Sequence, residues 1–378
     1  MKKLELWIVF LLVAFMAIGA SAATLTEGGN FVWDYGAVGH WDDSDGQNWR
    51  DSNAYTGAFV DEPSAETINL ATGAWPINIA GPTAVCTVDT AIGGWASTTS
   101  GTGIRVYEGA TMNVVAGADL YGFGSIRVGD IRSTPNAAYL NQTGGRISLT
   151  RQMASGRLAI GDANMSPNGG MLSGSTYTIS GGTFTYDAAD PKCAGELILG
   201  YRNGYGQMTI VGTAPDIHIK YLYIAGDHAS DKNPYDYGTG ILEYQIGSDG
   251  VSPIAVNGIA YIDQGDLIDT DGDGIGDTQF TTAQLILTLT AAPPTGDILL
   301  IDCVNIIQGT FDTVTGDING GKGQEGDTII LTYGGIQYQY TLTYKGGTDG
   351  KDLVLLIPEP ATICLLGLGA LSLIRRKR

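Results

Sequence analysis

Four segments of this 378-residue chain share one form, and their recurrence limits the folds open to it. They are Ile126-Arg-Val-Gly-Asp130, Leu158-Ala-Ile-Gly-Asp162, Leu197-Ile-Leu-Gly-Tyr201 and Leu222-Tyr-Ile-Ala-Gly-Asp227. Each reads as a short strand closed by glycine and usually aspartate. After each comes a loop, then a second strand ending in a glycine turn. Those are Leu140-Asn-Gln-Thr-Gly-Gly145, Tyr177-Thr-Ile-Ser-Gly-Gly182, Met208-Thr-Ile-Val-Gly212 and Leu242-Glu-Tyr-Gln-Ile-Gly247. The first strands recur after 32, 39 and 25 residues. Strands that keep their form while loops vary are expected when each repeat is one coil of a stack. Alternate apolar residues would point into the stack, and glycines would turn its corners. Residues 101–262 therefore read as an all-β solenoid, with a right-handed parallel β-helix as the expected form. An antiparallel sandwich or barrel with glycine-rich turns is the alternative that the irregular periods leave open.

Composition supports a β fold. Glycine supplies 56 of the 378 residues, about twice the usual share. Aromatic and β-branched residues remain common, which separates the chain from disordered sequences. Between the two termini no segment carries a convincing amphipathic helix. The best candidate, around 281–289, is too β-branched and lacks caps. Cys86, Cys193 and Cys303 are too few and too widely spaced for a zinc pattern and allow at most one disulfide. Stability is expected from a packed β core.

The flanks of the repeats read as β caps, over 23–100 and 263–357, because a solenoid end would otherwise expose unpaired strand edges. Trp33-Asp34, His40-Trp41 and Asn48-Trp49 open the chain's N-terminal part, with glycine and aspartate between. This pattern resembles the opening of secreted bacterial repeat proteins of the autotransporter-associated β-strand type. Gly309-Thr-Phe311, Ile329-Ile-Leu-Thr-Tyr333, Tyr340-Thr-Leu-Thr-Tyr344 and the glycine-rich run 346–354 resemble the usual ending of that group. The tryptophans have a second reading, as rings that stack on sugars.

Both ends read as sorting signals. Lys2 and Lys3 precede an apolar stretch over 6–18, and Ala20-Ser21-Ala22 has the small-x-small form of a signal peptidase site. Cleavage after Ala22 would send the chain out by the general secretory route. At the other end Pro358-Glu359-Pro360 is followed by an apolar run, 361–374, and by Arg375-Arg376-Lys377-Arg378. As a helix that run would span roughly 21 Å, short of a ~30 Å hydrocarbon core, and the cations would stay on the cytoplasmic side. Residues 358–378 resemble the PEP-CTERM signal of Gram-negative bacteria. The resemblance implies an exosortase-type processing enzyme that cuts near Pro-Glu-Pro, a transient hold on the inner membrane through 361–374, and delivery to the cell surface or extracellular matrix. An ordinary C-terminal anchor is the bland alternative.

Without the leader and the tail, residues 23–357 hold 14 cations and 37 anions, a net charge of −23. Such a surface repels nucleic acid and anionic lipid and attracts divalent cations. One motif fits that attraction. Asp269, Asp271, Asp273 and Asp277 fall at positions 1, 3, 5 and 9 of a calcium loop, with Gly274 at the tight turn and Ile275 offering its carbonyl at position 7. Position 12 is Phe280, so the bidentate glutamate of an EF-hand is missing. The loop more closely resembles a thrombospondin type-3 or dockerin loop, with Asp263 or Asp266 available to complete a Ca2+ shell. A solvated acidic turn is the bland reading.

Other motifs fail. Gly316-Asp-Ile-Asn-Gly-Gly321-Lys322 mimics a P-loop, but Gly323 stands where Ser or Thr would hold magnesium. No Gly-x-Ser-x-Gly occurs. His218 lies between Ile217 and Ile219, as for a solvent-facing strand residue. β-Helices can host polysaccharide lyases or hydrolases, yet no carboxylate–cation pair stands out here. For ice binding, Thr183-Phe-Thr185 would need matching Thr-x-Thr in the next coils, where Arg146-Ile-Ser148 and Thr209-Ile-Val211 are expected instead. The sequence thus predicts a non-enzymatic exported protein, structural or adhesive, in contact with extracellular polysaccharide.

Overall fold

The computed structural model describes residues 84–357, apart from 90, 95–102, 108, 130–136, 151–155, 162–173, 192, 202–203, 226–237, 264–281 and 319–320, together with short strand pieces between 32 and 79. Every regular element among these residues is a β-strand. The candidate helix is strand as well: Thr282–Leu289 alternates inward and outward side chains.

Three ladders organise the chain. On the first face lie Ile77–Ile79, Gly103–Val106, Ser125–Val128, Arg157–Ile160, Glu196–Leu199, Tyr221–Ile224, Ile259–Ile262 and Ile306–Gln308, each parallel to the next. On the second face Val85–Val88, Thr111–Val114, the first half of Tyr139–Leu149, the first half of Ser175–Tyr186, Tyr205–Val211, Thr239–Ile246 and Thr282–Leu289 pair in the same way. The third face stacks Ala91–Gly94, Asp119–Phe123, the second halves of the two long strands, Pro215–Ile219, Ile254–Val256 and Ile298–Cys303. The chain visits the faces in fixed order, one strand on each per coil. This is the pairing of a β-solenoid, and it excludes an antiparallel sandwich for these residues.

The registers match the sequence repeats residue for residue. Ile126, Leu158, Leu197 and Leu222 are successive partners on the first face. Leu140, Tyr177, Met208 and Leu242 are successive partners on the second. All eight are almost fully buried and form one continuous core with their neighbours. Burying a side chain of this size contributes about 1.5–3 kcal/mol, and every coil supplies several. The stack also runs beyond 101–262, since Ile77–Ile79 precedes it and Thr282–Leu289, Ile298–Cys303 and Ile306–Gln308 follow it on the same ladders.

The recurring glycine has a physical cause. At the corner from the first to the second face the backbone enters the left-handed region in five successive coils: Gly129, Gly161 and Gly200 at φ of 85°, 75° and 75°, then Ala225 at 54° and Asp263 at 49°. A Cβ on Gly161 would come within 2.5 Å of the Tyr205 carbonyl group in the coil above. Conformation and space both demand glycine there. The same corner absorbs most of the length variation. The connections 129–138, 161–174, 225–238 and 263–281 all leave from it, whereas Gly124 alone and Lys220 alone link the third face to the first.

The two ends of the stack differ from its body. Trp49–Arg50 runs antiparallel to Val32–Trp33 at the N-terminal edge of the first face. At the other end Asp352–Leu356 pairs antiparallel with Ile298–Cys303, then with Ile336–Gly346, which pairs with Thr328–Tyr333. These strands cover the last third-face edge. Asp352 accepts from the Cys303 amide at 2.9 Å, and the Tyr344 hydroxyl donates to the Gly323 carbonyl while accepting from the Phe311 amide.

Candidate functional site

The outer surface of the second face is the most regular polar surface among the described residues. Because side chains alternate along each strand, the register that fixes the inner row also fixes two outer rows. One row runs Thr87, Asn113, Asn141, Thr178, Thr209, Glu243. Beside it run Val85, Thr111, Tyr139, Thr176 and Gln207. Rungs of such a ladder are about 4.8 Å apart, so the six-residue row extends roughly 24 Å. Up to Glu243 neither row contains a charge, within a chain of strong net negative charge.

Neighbouring rungs hold one another. Asn141 donates to the Asn113 side chain at 3.1 Å, and Asn113 donates to the Thr87 hydroxyl at 3.5 Å. At the far end the Glu243 carboxylate accepts from Gln207 at 2.7 Å, Thr209 at 3.0 Å and Gln245 at 3.2 Å. The side chains are therefore oriented before any partner arrives. Tyr139 stands out of the surface at 41% exposure, a ring available for stacking beside the amides.

The first face carries a different outer feature. Ala159, Ile198 and Tyr223 are successive outward partners, yet all are buried, forming a small apolar cluster with Tyr201. Tyr223 stacks on Tyr261 at 4.9 Å with rings 6° from parallel. Arg157 closes the margin, its guanidinium 5.5 Å from the Tyr201 ring and 3.3 Å from Glu196. This cluster locks successive coils together.

Several other outward carboxylates and cations pair with each other. Arg146 grips Asp119 through two nitrogens at 2.7 and 2.6 Å, at an exposure where such a pair adds little stability. His218 faces solvent, as its position between Ile217 and Ile219 implies, and its ring lies 2.8 Å from Asp216. The P-loop mimic is occupied by its own acid, since the Gly323 amide donates to Asp317. Cys86, Cys193 and Cys303 are buried and separate, and burial pushes the Cys193 and Cys303 thiols up. Among the described residues no group of three or more His, Cys, Asp or Glu is placed to hold a metal ion.

The chemistry-bearing motifs of the sequence fall elsewhere. Asp269, Asp271, Asp273, Ile275 and Asp277 lie outside the described residues, in the connection from Ile259–Ile262 to Thr282–Leu289. Ala20, Ala22, Pro358, Glu359 and Pro360 also lie outside them, as do the side chains of Trp33, Trp41 and Trp49. One expected neighbour is corrected. The coil after Thr183–Thr185 presents Asp216 and His218, with Thr183 paired to Asp216, whereas Thr209–Val211 belongs to the second face. The long strand 175–186 crosses two faces, which shifts the partner of its second half. The outer rows of the second face did not emerge from the sequence, although aligning Leu140, Tyr177, Met208 and Leu242 also aligns Asn141, Thr178, Thr209 and Glu243.

No curated protein and no solved structure matches the chain. A family model does match its C-terminal end, beginning on the last residue of the strand Asp352–Leu356. The motif is thus continuous with the cap that precedes it, and the sorting reading of the tail is confirmed by an independent comparison. Residues 356–378 match the model of the PEP-CTERM protein-sorting motif, a signal that implies export and processing by an exosortase-type enzyme.

Proposed function

We propose that the processed protein is a passive structural or adhesive element of the cell surface or matrix, and that it holds neutral extracellular polysaccharide along the second face. The observation that carries this reading is the pair of uncharged rows from Thr87 to Thr178, with Thr111, Tyr139 and Thr176 alongside. Amides and hydroxyls both donate and accept, as sugar hydroxyls do. Each such bond contributes only about 0.5–1.5 kcal/mol net, so affinity must come from repetition along a polymer. A net charge of −23 disfavours polyanions, which directs the proposal to neutral glycans. In this reading the solenoid winds right-handed, as parallel crossovers do. Its ends resemble the autotransporter-associated group in serving as caps, and calcium on Asp269, Asp271, Asp273, Ile275 and Asp277 stiffens one corner connection.

The test is co-sedimentation of the tail-free protein with a panel of insoluble neutral and acidic polysaccharides. Binding to a neutral member, weakened about tenfold by Tyr139→Ala with Asn141→Ala, is the expected result. Binding unaffected by that double change would remove the second face from the reading. Release of reducing or unsaturated sugar ends would replace the passive role with an enzymatic one.

A further inference from the structure

The cap contains a hairpin that projects past the rest of its sheet, and the direction of that projection has a consequence for the tail. Thr328–Tyr333 and Ile336–Gly346 pair along their length, with Tyr333 opposite Ile336 at the tip. Gly334 and Gly335 make the turn at φ of 57° and 80°, the left-handed pair that a two-residue hairpin turn requires. On the other side of Ile336–Gly346, Asp352–Leu356 ends with Leu356 opposite Thr341. Residues 336–340 and their partners therefore overhang the end of that strand. At ~3.4 Å per residue the overhang from Thr341 to Ile336 is about 17 Å.

The strand Asp352–Leu356 runs antiparallel to its neighbour, so the chain leaves Leu356 heading toward the hairpin tip. Ile357 is still held to the fold, its amide donating to Asp297 at 2.9 Å. The apolar run begins at Ala361, five residues past Leu356. Five residues reach at most about 17 Å. The tip is thus as far from Leu356 as the start of the apolar run can reach.

The chemistry of the tip suits that position. No charged side chain or histidine occurs from residue 328 to residue 344, in a chain otherwise rich in acids. Residues 332–337 are all exposed, with Ile336 at 59% and Tyr333 at 40%. An amphipathic tyrosine beside an aliphatic residue, without acids to repel anionic lipid, fits a membrane–water boundary.

We propose that the tip Tyr333-Gly-Gly-Ile336 rests in the interfacial layer of the bilayer that holds the tail, and so stands the cap on the membrane with Pro358-Glu359-Pro360 beside its surface. The proposal rests on the sorting reading of 356–378 and adds a second membrane contact from the folded body. Once the tail is cut, a tip this small cannot keep the protein on the membrane, so the contact orients the substrate and does not anchor the product.

The test uses the full tail-bearing chain in vesicles of phosphatidylethanolamine and phosphatidylglycerol. An environment-sensitive dye is placed on Ile336→Cys, or on Thr348→Cys at the opposite end of the same strand pair, each with Cys364→Ser. The dye at 336 is expected to shift to the blue and be quenched severalfold more by brominated lipid than the dye at 348. Equal responses at the two sites in protein that resists carbonate extraction would overturn the proposal while leaving the tail reading intact. Release of the protein by carbonate would overturn both. In cells, Ile336→Asp is expected to slow tail removal severalfold without changing the melting temperature of the tail-free protein. Unchanged processing would overturn the orienting role.

Discussion

The coils and the C-terminal cap solve the same problem of pairing strands by opposite means. In the coils every partner is one turn away, 22–47 residues distant on the first face from Ile77–Ile79 onward, and all pairs are parallel. In the cap the partners are antiparallel neighbours joined by tight turns. The difference is clearest at glycine. Gly161 is fixed by φ and by the backbone of the next coil, 2.5 Å from where a Cβ would lie. Gly334 has a similar φ but nothing within 4 Å of that point. A coil corner needs glycine for space and conformation, a cap turn for conformation alone.

Substitution at the two positions should separate these requirements. Gly161→Ala is expected to cost about 3 kcal/mol or more, combining left-handed strain with a backbone clash, and to lower the urea midpoint accordingly. A loss below 1 kcal/mol would show that the coils can shift apart and that the corner is not close-packed.

Alkali should strain both regions. Burial pushes the phenols of Tyr177 and Tyr244 in the coils, and of Tyr344 in the cap, well above the ordinary range. The neutral phenols are thus favoured by folding. Their contribution is complete below the ordinary phenol value near 10 and is lost as pH rises from there through the raised native values. Denaturant titrations should therefore show stability falling steadily above about pH 10. Absorbance at 295 nm should show these three rings ionising only as the protein unfolds. Early ionisation of one ring would identify the looser region.

The proposed calcium loop falls in a corner connection of the coils, so its test concerns that region alone. With Ca2+ at ten times its dissociation constant, binding in the 269–277 connection should add about 1.4 kcal/mol and a few degrees to the melting temperature. Asp271→Asn should abolish the shift. An unchanged melting temperature at millimolar calcium would leave the segment as a solvated turn. The smallest effect is expected at the cap turn, where Gly334→Asn suits the left-handed pair and should stay within about 0.5 kcal/mol of the parent. A larger loss would mean that the tip packs against something.

Much of the solenoid was legible because the corner repeats a demand that glycine alone meets easily. Ile126, Leu158, Leu197 and Leu222 could be aligned by the glycine, alanine or aspartate after them. Ile259-Ala-Tyr-Ile262 falls inside 101–262 but escaped alignment with the other repeats, because its left-handed corner, Asp263, is an aspartate. The third face escaped for another reason. Its strands follow the second face through bends such as Gly144-Gly145, where the repeat reads as a strand ending in a turn. The outer rows were hidden because Thr, Asn and Gln on a strand look like ordinary solvent-facing residues until the coils are set in register. The sorting tail, which is read by a processing enzyme, was visible without any structure.

The position of Asp352–Leu356 carries a consequence in time. This strand lies between Ile298–Cys303 and Ile336–Gly346, with Leu353 and Leu355 buried. In a chain threaded outward from its N-terminus it is the last strand to emerge, directly ahead of the sorting motif. The cap sheet cannot close until the segment directly before the sorting motif is free to pair. A chain that stops short of Leu356 therefore has neither a finished cap nor the sorting motif.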